Sequence, residues 1–214
     1  MQEHVRKLVQ QLEELLQKQD RVILAIDGTS AALKSTLAAY LARELKGTVI
    51  HCDDFFLPMN LRSEARYQEP GGNIHYERMK TEVMEPLVRS TQDKEQDYNT
   101  THVSCASTVG EKDCTFSYMC YDCAKGTLGE RRTVPDVPLR IVEGAYALHP
   151  YFGSYYDFSV FLTVEEQIQM GRIEKRNPNP RMFREKWIPL EQKYFEAFGI
   201  PDKADMILDT THWK

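Results

Sequence analysis

The sequence lacks a long apolar run, an excess of basic residues and a regular set of cysteines. No apolar stretch approaches the length that spans a bilayer, and the first residues, Met1 to His4, lack the apolar core of a signal peptide. The formal net charge is −5, which disfavours a protein that binds nucleic acid or a membrane mainly through charge. We therefore expect a cytoplasmic protein with neither of these partners. The sequence does not decide between a monomer and a homo-oligomer.

The cysteine pattern favours reduced thiols. Cys120 and Cys123 have CxxC spacing, but Cys105 and Cys114 precede them at a spacing that matches no regular zinc pair. The total of five cysteines is odd, which is typical of a reducing compartment rather than of a disulfide framework. A zinc-stapled interaction domain built from these four cysteines is the alternative.

The length of 214 residues fits one α/β domain that buries a full core. Apolar runs predict strands at 21–26, 48–51, 139–144, 157–164 and 204–209. Helical periodicity predicts helices at 5–16, 37–45, 79–88 (with a kink or restart at Pro86) and 165–176. Between 98 and 138, short pieces at 101–105, 115–121 and 132–134 alternate with turn residues and predict a β-hairpin insertion beside the sheet.

The stretch from Gly28 to Thr36 has the spacing of a phosphate-binding loop with one change. The intact motif, GxxxxGK[ST], wraps backbone N–H groups around phosphate oxygens and supplies a lysine for the phosphates and a hydroxyl for Mg²⁺. Gly28, Lys34 and Ser35 fit this spacing, whereas Leu33 replaces the second glycine. The apolar run before the stretch and the helix after it are the surroundings that the motif requires. The alternative is an ordinary strand-to-helix turn with a capping hydroxyl.

Acidic residues follow two of the predicted strands. Asp53 and Asp54 come after the strand 48–51, and Glu143 with Gly144 ends the strand 139–144. Parallel sheets bind their ligands at the carboxyl ends of the strands, so one aspartate there could accept a proton from a substrate hydroxyl or hold a metal. An acid in the position of Glu143 typically supports Mg²⁺ in proteins with a phosphate-binding loop. Asp53 and Asp54 could instead cap a turn.

A group of basic residues begins in the helix 165–176 and continues after the Asn177–Pro180 segment: Arg172, Lys175, Arg176, Arg181 and Arg184. Cations there predict a lid region, residues 172–186, that closes over phosphates and neutralises a transferring phosphoryl group. A solvated basic helix face is the alternative. The apolar residues that follow are expected in the core, namely Met182, Phe183, Trp187, Ile188, Tyr194, Phe195 and Phe198.

Together these motifs resemble the uridine kinase-like branch of P-loop small-molecule kinases, over about residues 20 to 210. The resemblance rests on the loop 28–36, Cys52–Phe56, Pro70–Ile74, Tyr121–Asp122, Val142–Gly144 and Arg172–Arg176. It implies an α/β P-loop NTPase three-layer fold with a mostly parallel central sheet, a β-hairpin insertion and a helical lid, in one domain over residues 1–214. It also implies ATP and Mg²⁺ as cofactors and a small-molecule substrate.

The resemblance assigns roles to individual residues. Asp53 is implied as the base toward the sugar 5′-hydroxyl, and Lys34, Arg172 and Arg176 as the other catalytic residues. Implied ATP-binding residues are Gly28, Thr29, Ser30, Ala31, Ala32, Leu33, Lys34, Ser35 and Thr36. Implied substrate-binding residues are Asp53, His75, Tyr121 and Glu143, and implied magnesium ligands are Ser35, Asp53 and Glu143.

Two positions depart from the family pattern. Leu33 stands where the family has glycine, and His75 stands where an aspartate grips the ribose hydroxyls. The leading hypothesis is ATP-dependent phosphorylation of a small hydroxyl substrate, foremost the 5′-hydroxyl of uridine or cytidine, with activity reduced by these departures. The alternatives are a nucleotide-binding pseudokinase without turnover and a kinase for pantothenate, phosphoribulose or a sugar.

Overall fold

The computed structural model describes residues 2–92 and 114–213. The expected strand 101–105 and the first part of the expected insertion, 98–113, lie outside the described residues. The strands are β1 Val22–Gly28, β2 Thr48–His51, β3 Cys114–Asp122, β4 Thr127–Pro135, β5 Leu139–Glu143, β6 Phe158–Thr163 and β7 Met206–Asp209. The helices are α1 Gln2–Lys18, α2 Lys34–Glu44, α3 Glu64–Gln68, α4 Tyr76–Met79, α5 Glu85–Gln92, α6 Glu166–Arg176, α7 Pro180–Met182, α8 Ile188–Phe198 and α9 Ile200–Lys203.

Five strands form a parallel sheet in the order β2-β5-β1-β6-β7. β1 is the central strand, and each of its seven residues is buried. Because side chains alternate between the faces of a strand, Ile23 and Ala25 join one apolar cluster while Leu24 and Ile26 join another. The cluster with Leu24 and Ile26 also contains apolar residues of α1 and α2, and the other contains residues of α5, α8 and the hairpin. The α/β class and the mostly parallel sheet are confirmed.

The strands β3 and β4 form the expected antiparallel hairpin. Asp54, which follows β2, connects this hairpin to the body of the protein. Its Oδ2 accepts hydrogen bonds from Tyr118 Oη and from Arg132 Nη1, each at 2.9 Å. Arg78 adds a second connection because its Nη2 donates to the carbonyl of Met119 at 2.6 Å.

Two helical segments contain a widened π turn followed by a proline. The first turn, Lys80–Met84, joins α4 to α5, and the second, Phe183–Trp187, joins α7 to α8. Pro86 and Pro189 each stand two residues after the turn. Proline has no N–H and its ring displaces the carbonyl four residues earlier, which explains a change of helical register at these places. Pro86 therefore shifts the helix without ending it.

Within the described residues, the predicted helices and strands agree with the structure except at their ends. Part of the expected core differs. Met182 is 42% exposed, and Phe183, Trp187 and Ile188 are only partly buried and belong to neither apolar cluster, so the prediction of a core position was wrong for these four residues. Tyr194 and Phe195 are buried as expected. Within the described ranges, no helix is long and apolar enough to cross a membrane.

Candidate active site

The loop 28–36 leaves the end of β1 and enters α2 with a left-handed backbone at two non-glycine residues. Ala31 has φ 59° and Leu33 has φ 65°. L-residues pay about 1–2 kcal/mol each for this conformation, because Cβ approaches the following carbonyl oxygen. The leucine in place of the second glycine therefore keeps the turn that a glycine would favour, at a cost in strain.

Space around the loop explains why one glycine is retained and the other is not. Gly28 has φ 141°, and a Cβ atom built there would lie 2.7 Å from the backbone nitrogen of Leu162 on β6. Leu33 instead packs its partly buried side chain against the cluster formed by α1, α2 and β1. The loop thus accommodates a side chain at position 33 but not at position 28.

The start of α2 presents donors for an anion. The first α-helical bond there runs from Leu37 N to Leu33 O at 3.0 Å, so the amides of the first turn have no intrahelical carbonyl. Among the described residues, no side chain caps this helix start. Lys34 Nζ lies over the loop and donates to the carbonyls of Gly28 at 2.7 Å and Thr29 at 2.9 Å. Free amides, a helix N-terminus and an ammonium group together favour phosphate.

Three side chains bind the loop at Ser30 and Ala31, and we call them the outer clamp: Gln169 and Arg172 of α6 and Glu191 of α8, of which Glu191 also lines the cavity. Glu191 accepts hydrogen bonds from both Ser30 N, at 2.9 Å, and Ser30 Oγ. Gln169 Nε2 donates to the carbonyl of Ser30 at 3.0 Å, and Arg172 Nη1 donates to the carbonyl of Ala31 at 3.2 Å. Burial raises the pKa of Glu191, while Lys34 and Ser30 oppose this shift.

Asp27, the last residue before Gly28, connects three segments behind the loop. Its carboxylate accepts hydrogen bonds from the backbone N–H groups of Gly28, Tyr146 and Leu148 at 2.7, 3.2 and 2.9 Å. Tyr194 Oη donates to the same group at 2.9 Å. Asp27 is fully buried, and burial raises its pKa. It therefore joins β1, the segment after β5 and α8 at one point.

Carboxylates gather where β2 and β5 end. Ser35 Oγ donates to Glu143 Oε1 at 2.9 Å, and the same oxygen contacts His51 Nδ1. The hydrogen bond to Glu143 raises the pKa of His51. Asp53 is accessible from the cavity but closely surrounded by protein, and this desolvation raises the pKa of its carboxyl, with a further increase from Glu143.

A cavity of about 230 Å³ brings these groups together. The predicted residues that line it are Ser30, Ala31, Ala32, Leu33, Lys34, Ser35, Thr36, Asp53, Glu143 and Arg176. It is further lined by Phe56, Asn73, Gly144, Ala145, Tyr146, Phe183, Trp187 and Glu191.

Five predicted site residues do not line this cavity: Gly28, Thr29, His75, Tyr121 and Arg172. Gly28 and Thr29 contribute the carbonyls that accept from Lys34 Nζ. Arg172 donates behind the loop to Ala31 O and also to the carbonyls of Thr210 at 2.6 Å and Trp213 at 3.1 Å, whereas a lid arginine would point at phosphates. His75 starts α4 and accepts a hydrogen bond from Arg78 N at 3.3 Å. Tyr121 is buried in the hairpin, and within the described residues its hydroxyl has no partner.

Several residues at the cavity were not foreseen as site residues. Glu191, Trp187 and Asn73 line the cavity and come from segments far from the loop in sequence. His51, at the end of β2, does not line it but contacts Glu143, which does. Asn73 is 5% exposed, and within the described residues its Oδ1 has no hydrogen-bond partner. For His51, the position at the carboxyl end of a strand was an available signal, and for Asn73 its place in the Pro70–Ile74 motif was another. The sequence offers none for Glu191 and Trp187, because their place depends on tertiary packing.

The donor set of Ser35, Asp53 and Glu143 suits Mg²⁺. All three side chains supply oxygen, and Mg²⁺ commonly uses one or two carboxylates together with substrate phosphates and waters. Within residues 2–92 and 114–213 there is no group of three or more His, Cys, Asp and Glu side chains arranged to hold a metal by themselves. The residues thus fit a cation that phosphate and water help to coordinate.

Solved structures share this fold. A possible uridine kinase from Bacillus stearothermophilus matches with a TM-score of 0.63 and 20% identity, over 96% of this chain and 100% of that chain. A candidate fructose transport system kinase from Silicibacter sp. TM1040 matches with a TM-score of 0.56 and 18% identity, over 95% and 98% of the two chains. No protein-family model and no curated protein matches the sequence. The chain therefore has the fold of uridine kinase-like P-loop kinases.

Proposed function

We propose that the protein is an ATP-dependent kinase that phosphorylates a small hydroxyl substrate, foremost the 5′-hydroxyl of uridine or cytidine. One observation supports this most strongly: Lys34, Ser35, Asp53 and Glu143 line the same cavity at the carboxyl ends of β1, β2 and β5. Phosphoryl transfer needs a cationic cradle, a cation site and a base within one small volume. The similarity in fold to the two solved structures named above also supports this proposal.

In this proposal the loop 28–36 binds the triphosphate of ATP. The amides at the start of α2 and Lys34 bind phosphate oxygens, and Arg176 adds positive charge from the end of α6. Ser35, Asp53 and Glu143 would hold Mg²⁺, which supplies neutralisation of phosphate charge when bound.

Asp53 is the proposed base toward the acceptor hydroxyl. Its carboxylate is accessible from the cavity, where it can accept a proton from a bound hydroxyl group. The other proposed contribution of Asp53 is to orient that hydroxyl for in-line attack, since positioning alone gives a large part of the rate enhancement.

The acceptor side of the cavity suits a flat, neutral molecule. Phe56 and Trp187 both line it, with ring centroids 6.4 Å apart, and aromatic side chains favour stacking with planar groups. Asn73 offers a buried amide oxygen to a hydroxyl or an N–H group. These features support a nucleoside over an anionic acceptor such as phosphoribulose or pantothenate. Roles for His75 and Tyr121 in sugar and base recognition stay predictions.

A product assay with labelled ATP tests the proposal. The wild type is incubated with uridine, cytidine, fructose, pantothenate and ribulose 5-phosphate, and we expect transfer to the pyrimidine nucleosides. Asp53→Asn should lower the transfer rate by about 10²–10⁴-fold, while calorimetry with ATP in the absence of Mg²⁺ shows unchanged affinity. Asp202→Asn, at an exposed acid of α9, is the matched control and should leave the rate unchanged.

Each other outcome contradicts a defined part of the proposal. Transfer to a sugar and to no nucleoside would overturn the substrate assignment. ATP binding without any product would favour a nucleotide-binding protein without turnover. Absence of heat at millimolar Mg-ATP would remove nucleotide binding altogether.

A further inference from the structure

The loop 28–36 poses a physical problem that its own sequence does not solve. Ala31 and Leu33 adopt left-handed φ angles, which glycine reaches without strain and other residues do not. Strained backbone persists only where the surrounding structure over-determines it. Something outside the loop must therefore hold these two residues in place.

The outer clamp fixes the peptide planes on both sides of Ala31. A peptide unit is planar, so binding its carbonyl fixes the orientation of the whole unit. Gln169 binds the carbonyl before Ala31, and Arg172 binds the carbonyl after it. With both planes fixed, φ and ψ of Ala31 have little freedom.

Glu191 fixes the peptide plane between Thr29 and Ser30 and also the side chain of Ser30. Its two carboxylate oxygens accept from Ser30 N and Ser30 Oγ, respectively. Glu191 and Gln169 are each only 6% exposed, so water competes weakly for these contacts. At the other end of the loop, α2 binds the carbonyl of Leu33 through Leu37 N.

We propose that Glu191 is a positioning residue which, with Gln169 and Arg172, replaces the missing glycine by holding the loop 28–36 in the left-handed shape that binds phosphate. Without Glu191 the loop relaxes, and ATP then binds only the minority of molecules that retain the shape. This proposal rests on the proposed function only in its statement about ATP affinity. With glycine at position 33, the strain at that position is gone and only that of Ala31 remains, so the shape depends less on the clamp.

A cycle of variants tests this coupling. Glu191→Met keeps the volume of the side chain but removes both acceptors, and Leu33→Gly removes the strain at position 33 while that of Ala31 stays. We expect Glu191→Met to weaken Mg-ATP binding, measured by calorimetry, by about tenfold in the leucine background and by less than about threefold in the glycine background, since such strain corresponds to population factors of about 5–30. Glu191→Gln, which can still bond both groups of Ser30, should bind ATP like the wild type. Glu196→Gln, at an exposed position of α8, is the control.

A second readout needs no nucleotide. Backbone chemical shifts of Ala31 and Leu33 depend on φ and ψ. We expect these shifts to move away from the values typical of a left-handed backbone in Glu191→Met and to keep those values in Glu191→Gln. If Glu191→Met does not fold, Ser30→Ala goes through the same cycle with the same expected directions. Equal losses of affinity in both backgrounds, or unchanged chemical shifts in Glu191→Met, would overturn the proposal. A wild type that binds no ATP would refute the proposed function, while the chemical shifts would still decide on the clamp.

Discussion

Replacing Asp27 by asparagine removes one hydrogen-bond acceptor from a fully buried junction. The Asp27 carboxylate accepts from Gly28 N and Tyr146 N through Oδ1, and from Leu148 N and Tyr194 Oη through Oδ2. An asparagine that keeps its oxygen at Oδ1 places an amide NH₂ opposite Leu148 N. Tyr194 can turn its hydroxyl and accept, whereas the N–H of Leu148 cannot.

The loss of stability follows from the one buried N–H group, that of Leu148, that is left without an acceptor. One buried N–H without a partner costs about 1–3 kcal/mol, so the free energy of unfolding of Asp27→Asn should fall by that amount. For a chain of this length, each kcal/mol shifts Tm by about 2–4 °C. Urea unfolding and a thermal melt of both proteins measure the loss. Tyr194→Phe, which removes only the phenol donor, should cost about 0.5–1.5 kcal/mol.

The loss also depends on pH. Because burial raises the pKa of Asp27, the folded wild type binds more protons than the unfolded chain between the ordinary and the raised pKa. Its stability therefore falls as pH rises through that window. Asparagine does not titrate, so the difference in stability between wild type and Asp27→Asn should shrink as pH rises. Equal stability of the two proteins, or a difference that grows with pH, would refute the reasoning.

Three further changes have defined outcomes. Ser35→Ala removes the hydroxyl that donates to Glu143 and should lower the transfer rate about 10–100-fold in the labelled-ATP assay; an unchanged rate would contradict a role at the cation site. The raised pKa of His51 stabilises the wild type at pH 6, and this stabilisation is lost as pH rises through that pKa. His51→Gln should therefore lower the free energy of unfolding, measured in urea, more at pH 6 than at higher pH; a difference between the two proteins that is the same at every pH would count against this. Tyr118→Phe deletes a donor to Asp54 and should cost about 0.5–1.5 kcal/mol in the free energy of unfolding; no change would mean that this bond adds nothing to the attachment of the hairpin.

Local patterns made the sheet and one side of the site predictable. The alternation along β1 and the spacing of Lys34 and Ser35 are properties of a few neighbouring residues, so the sequence alone indicated them. Asp53 and Glu143 could be placed because parallel strands end at a common edge.

The rest depends on contacts between distant segments. Glu191 reaches Ser30 across 161 positions of sequence, and no spacing rule encodes such a contact. Arg172 was assigned by its charge and helix position, but the structure directs its donors to Ala31, Thr210 and Trp213. Helical periodicity assumes a regular helix. The widened turn Phe183–Trp187 changes the face of the helix on which Trp187 lies. Trp187 therefore lines the cavity instead of packing in the core.

The unequal surroundings of positions 28 and 33 have a consequence for protein engineering. A saturation library at position 28 should return glycine alone, since any Cβ would overlap the backbone of Leu162. At position 33, where the side chain packs against other apolar residues, the same library should return a range of medium-sized apolar residues besides glycine. Sequence searches that require the second glycine would thus overlook loops with this backbone shape, whereas searches that require the first glycine would find them.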